Sequence, residues 1–133
     1  MIVQTHTSEL LKQFETHAID PGAFGHKEHV VVAYEMLHKY SFLDASAKYA
    51  TAINTIATRA GAPEKFHMTI TLAFLSLIAE RVHTTSQSNV DEFLAQNTDL
   101  LSKNVLSKWY SDEQLKSELA RTHFLLPKME QKS

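Results

Sequence analysis

His26 and His29 stand three residues apart in the segment Phe24-Gly25-His26-Lys27-Glu28-His29-Val30, and a third histidine, His67, follows Phe66. On a helix that spacing puts two side chains on one face, about one turn apart. Neutral imidazole is the commonest nitrogen ligand for zinc, iron, copper and nickel. Three protein ligands with an open fourth position describe a catalytic metal centre rather than a closed structural one. Without a metal, histidines can move protons near neutral pH. Neutral histidines at helix N-termini also suit a small anion. The pattern is neither the H-E-x-x-H of metalloproteases nor an H-x-x-x-H pair.

The elements that must position these residues read as helices. Thr7 can cap a first helix carrying Leu10, Leu11 and Phe14 on one face. A turn-rich stretch, Asp20 to Gly25, precedes a second helix from about His26 to Tyr40 with Val30, Ala33 and Leu37 inward. Ser41, with Asp44 three residues on, starts a third helix through Ala45, Tyr49, Ala52, Ile53, Ile56 and Ala60. Gly61 suits its left-handed C-terminal cap, and Pro63 suits the first turn of the fourth helix, expected over about Pro63 to His83. That helix is apolar on nearly every side between Ile70 and Ala79, the pattern of a surrounded element. Asn89 or Ser88 caps a fifth stretch, broken near Asn97-Thr98-Asp99 and resuming to Trp109. Ser111 with Gln114 is a capping box for a last helix ending near His123. The expected fold is an all-α, single-domain bundle of five to six helices with short connections. Its ordered core covers about residues 7–127, and the tail 128–133 is expected to fray.

Short connections make neighbouring helices antiparallel, so the second and fourth should run parallel and carry their histidines at the same end. Glu80 and His83 then lie roughly 20–24 Å along the axis from His67, at the opposite end. Glu28 turns away from the His26/His29 face, whereas Asp20 in the preceding loop can reach it. Thr71, one turn past His67, faces the cluster; Thr69 points elsewhere and is expected to bond back to its own helix. A straight fifth stretch returns Tyr110 to the histidine end as a lid or hydrogen-bonding partner. Arg121 is expected in a salt bridge or at a helix end, and Glu80-Arg81 on a solvated helix end.

Composition narrows the class. The chain has 133 residues, 44% hydrophobic and 21% charged, with only three Gly and three Pro, which favours a few long helices over many short strands. Its 13 basic and 15 acidic residues form no basic block, so no nucleic-acid footprint is expected. There is no cysteine, which removes disulfides, thiolate metal sites and thiol nucleophiles together. The N-terminus lacks the basic start and long apolar run of a signal peptide. The longest apolar stretch, Leu72 to Ala79, is broken by Ser76 and too short to span a bilayer. The expectation is a cytoplasmic protein.

Several segments together resemble a family of small uncharacterised bacterial helical proteins, over about residues 10–127. They are Phe24 to Val30, then Phe66-His67-Met68-Thr69-Ile70-Thr71, then Tyr110-Ser111 to Leu115 with Ser117, Ala120-Arg121 and Phe124. The family pattern is F-x-H-x-x-H, then Y-H-x-T-x-T, then Y-S-x-x-x-L-x-S-x-x-A-R. Phe66 stands where the pattern more often has Tyr. The resemblance brings no activity; it implies that His26, His29, His67, Thr69, Thr71, Tyr110, Ser117 and Arg121 form one set.

The leading expectation is a metal-dependent enzyme acting on a small molecule. His26, His29 and His67 would hold one divalent transition metal, zinc or iron, with Thr71 and Tyr110 as catalytic groups. Thr71, Tyr110 and Arg121 would contact the ligand. Two alternatives stay open: a non-enzymatic protein that binds a small anion, and a structural or regulatory helical module pairing with itself or a partner.

Overall fold

The computed structural model describes residues 6–127 apart from 21, 23 and 103, and not the side chains of residues 6–8. The cap expected at Thr7 and the tail 128–133 therefore lie outside the described residues. Seven α-helices and no strand occur among the described residues: α1 His6–Glu15, α2 His26–Lys39, α3 Phe42–Arg59, α4 Met68–Thr84, α5 Val90–Gln96, α6 Asp112–Lys116 and α7 Glu118–Thr122. None is long and apolar enough to cross a membrane.

The helix packed on most sides is α2, where Val30, Val31, Val32, Ala33, Tyr34 and Met36 are all buried. It packs against α1, α3, α4 and α5. The sequence places an inward stripe of Val30, Ala33 and Leu37 there, but five consecutive buried residues show that α2 is covered all round rather than along one face. Phe14 of α1 stacks on Phe24 and packs against Tyr49 of α3, which ties α1, the loop before α2 and α3 into one core. The fourth helix is less enclosed than its composition suggests, since Ile70 is exposed.

Local chemistry sets the helix ends. The Ser41 hydroxyl accepts the Asp44 N–H at 3.1 Å and starts α3 as expected. Gly61 closes it in the left-handed region, φ 79°, with the Ala62 N–H donating back to the Ala57 carbonyl. Beyond this the chain departs from the expected single helix. Pro63–Lys65 forms only a 3-10 turn, Phe66 is extended, and α4 begins at Met68 with His67 as its N-cap. The His67 Nδ1 accepts the Ile70 N–H at 3.1 Å. A ring nitrogen thus does the work usually given to Ser, Thr, Asp or Asn, so the start of α4 has no conventional mark in the sequence.

The last third is more broken than expected. The Asn97 side-chain amide donates to the Phe93 carbonyl and its oxygen accepts from Arg81, ending α5. The chain continues only as the 3-10 turns Thr98–Leu101 and Val105–Lys108. The expected capping box at Ser111 and Gln114 is formed. The helix it starts stops after five residues because Ser117 intervenes. The Ser117 hydroxyl donates to the Gln114 carbonyl at 2.7 Å and accepts the Ala120 N–H at 3.1 Å, closing α6 and opening α7.

At the end of α1, His17 occupies the left-handed region at φ 62°, and the Ala18 N–H donates back to the Gln13 carbonyl. That helix-closing position favours glycine, because a Cβ there costs about 1–2 kcal/mol. His17→Gly is expected to stabilise the fold by up to about 1 kcal/mol, less than the full strain because glycine also loosens the unfolded chain. A urea midpoint that rises at constant slope checks it.

Candidate functional site

The three histidines line one cavity of about 380 Å³ between the starts of α2 and α4 and the middle of α3. His26 and His29 come from the first turn of α2, Tyr49 and Ile53 from α3, and His67, Ile70, Thr71 and Phe74 from α4 and its cap. Phe24 and Gly25 close it on one side and Val105 and Leu106 on another. Lys65, exposed, stands at its edge.

Each imidazole has a different occupation. The His67 Nε2 lies 2.6 Å from the Leu115 carbonyl, which can only accept, so this nitrogen carries the hydrogen and donates. Since Nδ1 accepts from Ile70, both ring nitrogens of His67 are committed to backbone groups. His26 donates through Nε2 to the Leu100 carbonyl at 2.8 Å, and its ring packs against Phe74 at 5.1 Å between centroids. His29 has no hydrogen-bond partner among the described residues. Its ring lies against Phe24 at 4.4 Å, and its pKa falls to about 4, chiefly through burial and secondly through the neighbouring His26. His29 is therefore a neutral imidazole at pH 7, with one donor and one acceptor.

Tyr49 shares this condition. Its side chain is 2% exposed, and burial pushes its hydroxyl pKa well above the ordinary tyrosine value. No hydrogen bond of that hydroxyl occurs among the described residues, although the large majority of buried side-chain polar atoms in proteins have a protein or water partner. The position of Tyr49 on the amphipathic stripe of α3 predicts its burial and says nothing about the hydroxyl.

Other expected members are elsewhere. Tyr110 is buried, but its hydroxyl donates to the Leu125 carbonyl at 2.7 Å, and it lines a separate, smaller cleft with Trp109 and Phe124. The fifth stretch does not return as a straight helix, so Tyr110 never reaches the histidines. Arg121 forms a surface pair with Glu118 at 2.7 Å, one helical turn away. Asp20 accepts the Gly22 N–H and does not line the cavity. Thr71 does line it. Thr69 does not bond to its own helix: its hydroxyl donates to the His123 carbonyl at 2.7 Å and accepts the Leu125 N–H at 2.9 Å. Arg81, expected on a solvated end, forks onto Asp99 at 2.9 and 2.8 Å and holds the carboxyl pKa at about 2.

These occupations bear on metal chemistry. Among the described residues no group of three His, Asp or Glu could hold a metal ion. With its cap and carbonyl bonds in place, His67 offers no lone pair for ligation, which leaves His26 and His29 as a pair without a third ligand among the described residues. The helix N-termini are also engaged. The Glu28 carboxylate reaches back to the Gly25 N–H at 2.9 Å, and the His67 ring fills the cap of α4. An anion seated on either helix end would compete with a group already there.

The arrangement can still hold an organic molecule. Its walls combine aromatic and aliphatic faces with a few converging polar groups, at the small end of the size range of ligand pockets. No family model matches the chain, and no curated protein and no solved structure matches it.

Proposed function

We propose that this protein binds a small organic molecule, without a metal, in the cavity bounded by His26, His29, Tyr49, Thr71, Phe24 and Phe74. The observation that carries this reading is that buried Tyr49 and half-buried His29 line the same apolar-walled space, while neither the hydroxyl nor the imidazole has a hydrogen-bond partner among the described residues. A buried hydroxyl without a partner costs about 1–3 kcal/mol of desolvation. A ligand that bonds to both groups recovers that cost on binding.

The reading makes stability and binding move in opposite directions, as functional residues often do. Tyr49→Phe removes a hydroxyl that has no partner among the described residues and keeps the ring that packs on Phe14. It is expected to leave the fold unchanged or more stable by up to about 1 kcal/mol. The same substitution should reduce the heat protection given by molecules that bind the cavity. The experiment is a screen of small aromatic amides, phenols and heterocycles by thermal shift, run on the natural chain and on Tyr49→Phe. Molecules that protect the first and not the second support the reading. A Tyr49→Phe variant destabilised by more than about 1 kcal/mol would show that the hydroxyl has a structural role instead.

A further inference from the structure

We infer that the buried end of the ligand is an uncharged group that both donates and accepts hydrogen bonds, such as the amide of a flat aromatic amide, and that a carboxylate is excluded from that position. This rests on the reading of the cavity as a ligand site and specifies the chemistry of what enters it.

The lining residues supply the argument. Tyr49 and His29 both line the cavity, and a tyrosine hydroxyl carries one O–H donor while a neutral imidazole carries one donor and one acceptor. A group facing them must therefore accept from a hydroxyl and complement an imidazole, which an amide does with its carbonyl and N–H edge. No Asp or Glu is among the lining residues, and the lining lysine, Lys65, is exposed on the 3-10 turn before α4. Charge compensation is thus available at the edge of the cavity and not at its buried end. A carboxylate placed beside Tyr49 and His29 would lose its water without gaining a cation, a cost of several kcal/mol. The positive ends of α2 and α4 cannot supply the missing charge, because the Glu28 carboxylate and the His67 ring already occupy them. The preference of His29 for its uncharged form acts in the same direction.

The walls define the rest of the molecule. Phe24 packs beside His29 and Phe74 beside His26, so each polar group is flanked by an aromatic ring. Ile53, Ile70, Val105 and Leu106 complete an apolar surround suited to one or two fused rings.

Benzamide and benzoate test this directly, since they have nearly the same shape and differ in charge. Each is titrated into the isotope-labelled chain at pH 7.5, and the shifts of amides near His29, Tyr49 and Thr71 are followed. Benzamide is expected to bind at least about tenfold more tightly than benzoate, and Tyr49→Phe is expected to weaken benzamide about fivefold. Equal or tighter benzoate binding that persists in Lys65→Met would overturn the inference while leaving the cavity as a ligand site. Benzoate binding that Lys65→Met abolishes would place the carboxylate at the edge, where the inference allows it. Saturating concentrations of both compounds that move none of these amides would overturn the inference and the underlying reading together.

Discussion

Thr69→Val should destabilise the protein by roughly 2–3 kcal/mol while leaving its shape nearly unchanged. Thr69 is fully buried at the start of α4, and its single hydroxyl holds both the His123 carbonyl and the Leu125 N–H. Valine fills the same volume but can do neither, so two backbone groups lose their partner. The value stays below that of two wholly buried orphans because His123 is exposed and Leu125 half-buried, which lets water reach them. Thr69→Ser keeps the hydroxyl and loses one buried methyl, so it should cost only about 1 kcal/mol. Urea unfolding of both variants measures the contrast. The Tyr110 hydroxyl grips the Leu125 carbonyl, so Tyr110→Phe and Thr69→Val act on one segment and should be non-additive in a double-mutant cycle. Equal stability of Thr69→Val and the natural chain would mean that the C-terminal segment is not latched to α4.

Acidification gives the second large effect, through His29. Its pKa is lowered from 6.5 to about 4 in the folded state. Between these values the unfolded chain binds a proton that the folded chain refuses, so stability rises with pH across this window and falls as the solution is acidified. The loss begins near pH 6.5, is complete a little below pH 4, and amounts to roughly 3 kcal/mol at most. His29→Phe removes this contribution. Stability curves of the natural chain and the variant should therefore converge or cross between pH 7 and pH 4, the variant losing less on the acid side. Parallel curves would mean that His29 is reached by water and protonated freely in the native state. The Arg81–Asp99 pair titrates in a different range: Asp99 is depressed to about 2, so its contribution is present above roughly pH 4 and lost as pH falls through 2.

Much of this architecture was legible in the sequence because the responsible signals are local. Ser41, Gly61, Asn89 and Ser111 each act within a few residues and cap helices as their types predict. The meeting of His26, His29 and His67 at one cavity followed from connectivity, since short loops make the second and fourth helices parallel. What the sequence hid depends on partners distant in the chain. His67 is an N-cap whose second nitrogen finds the carbonyl of Leu115, 48 residues away, and Thr69 finds His123, 54 residues away. No periodicity reports such pairings. The set that the family resemblance joins is divided in space: His26, His29, His67 and Thr71 line the cavity, Thr69 and Tyr110 hold the C-terminal segment, Ser117 caps α7, and Arg121 pairs on the surface. Tyr49 was hidden for another reason. Its burial is predictable, whereas the lack of a hydroxyl partner among the described residues shows only once the neighbouring residues are in place.

The most direct test of the central claim is where a bound fragment sits. A mixture of small aromatic amides, added to the isotope-labelled chain at pH 7.5, should shift resonances of Phe24, His29, Tyr49, Thr71 and Phe74 together. The ring nitrogens of His29 should move most, because they have no hydrogen-bond partner among the described residues. Shifts confined to the cleft at Trp109 and Phe124, or to the groove at Glu15, Tyr40 and Lys48, would place binding elsewhere and contradict the assignment of the histidine-lined cavity as the functional site.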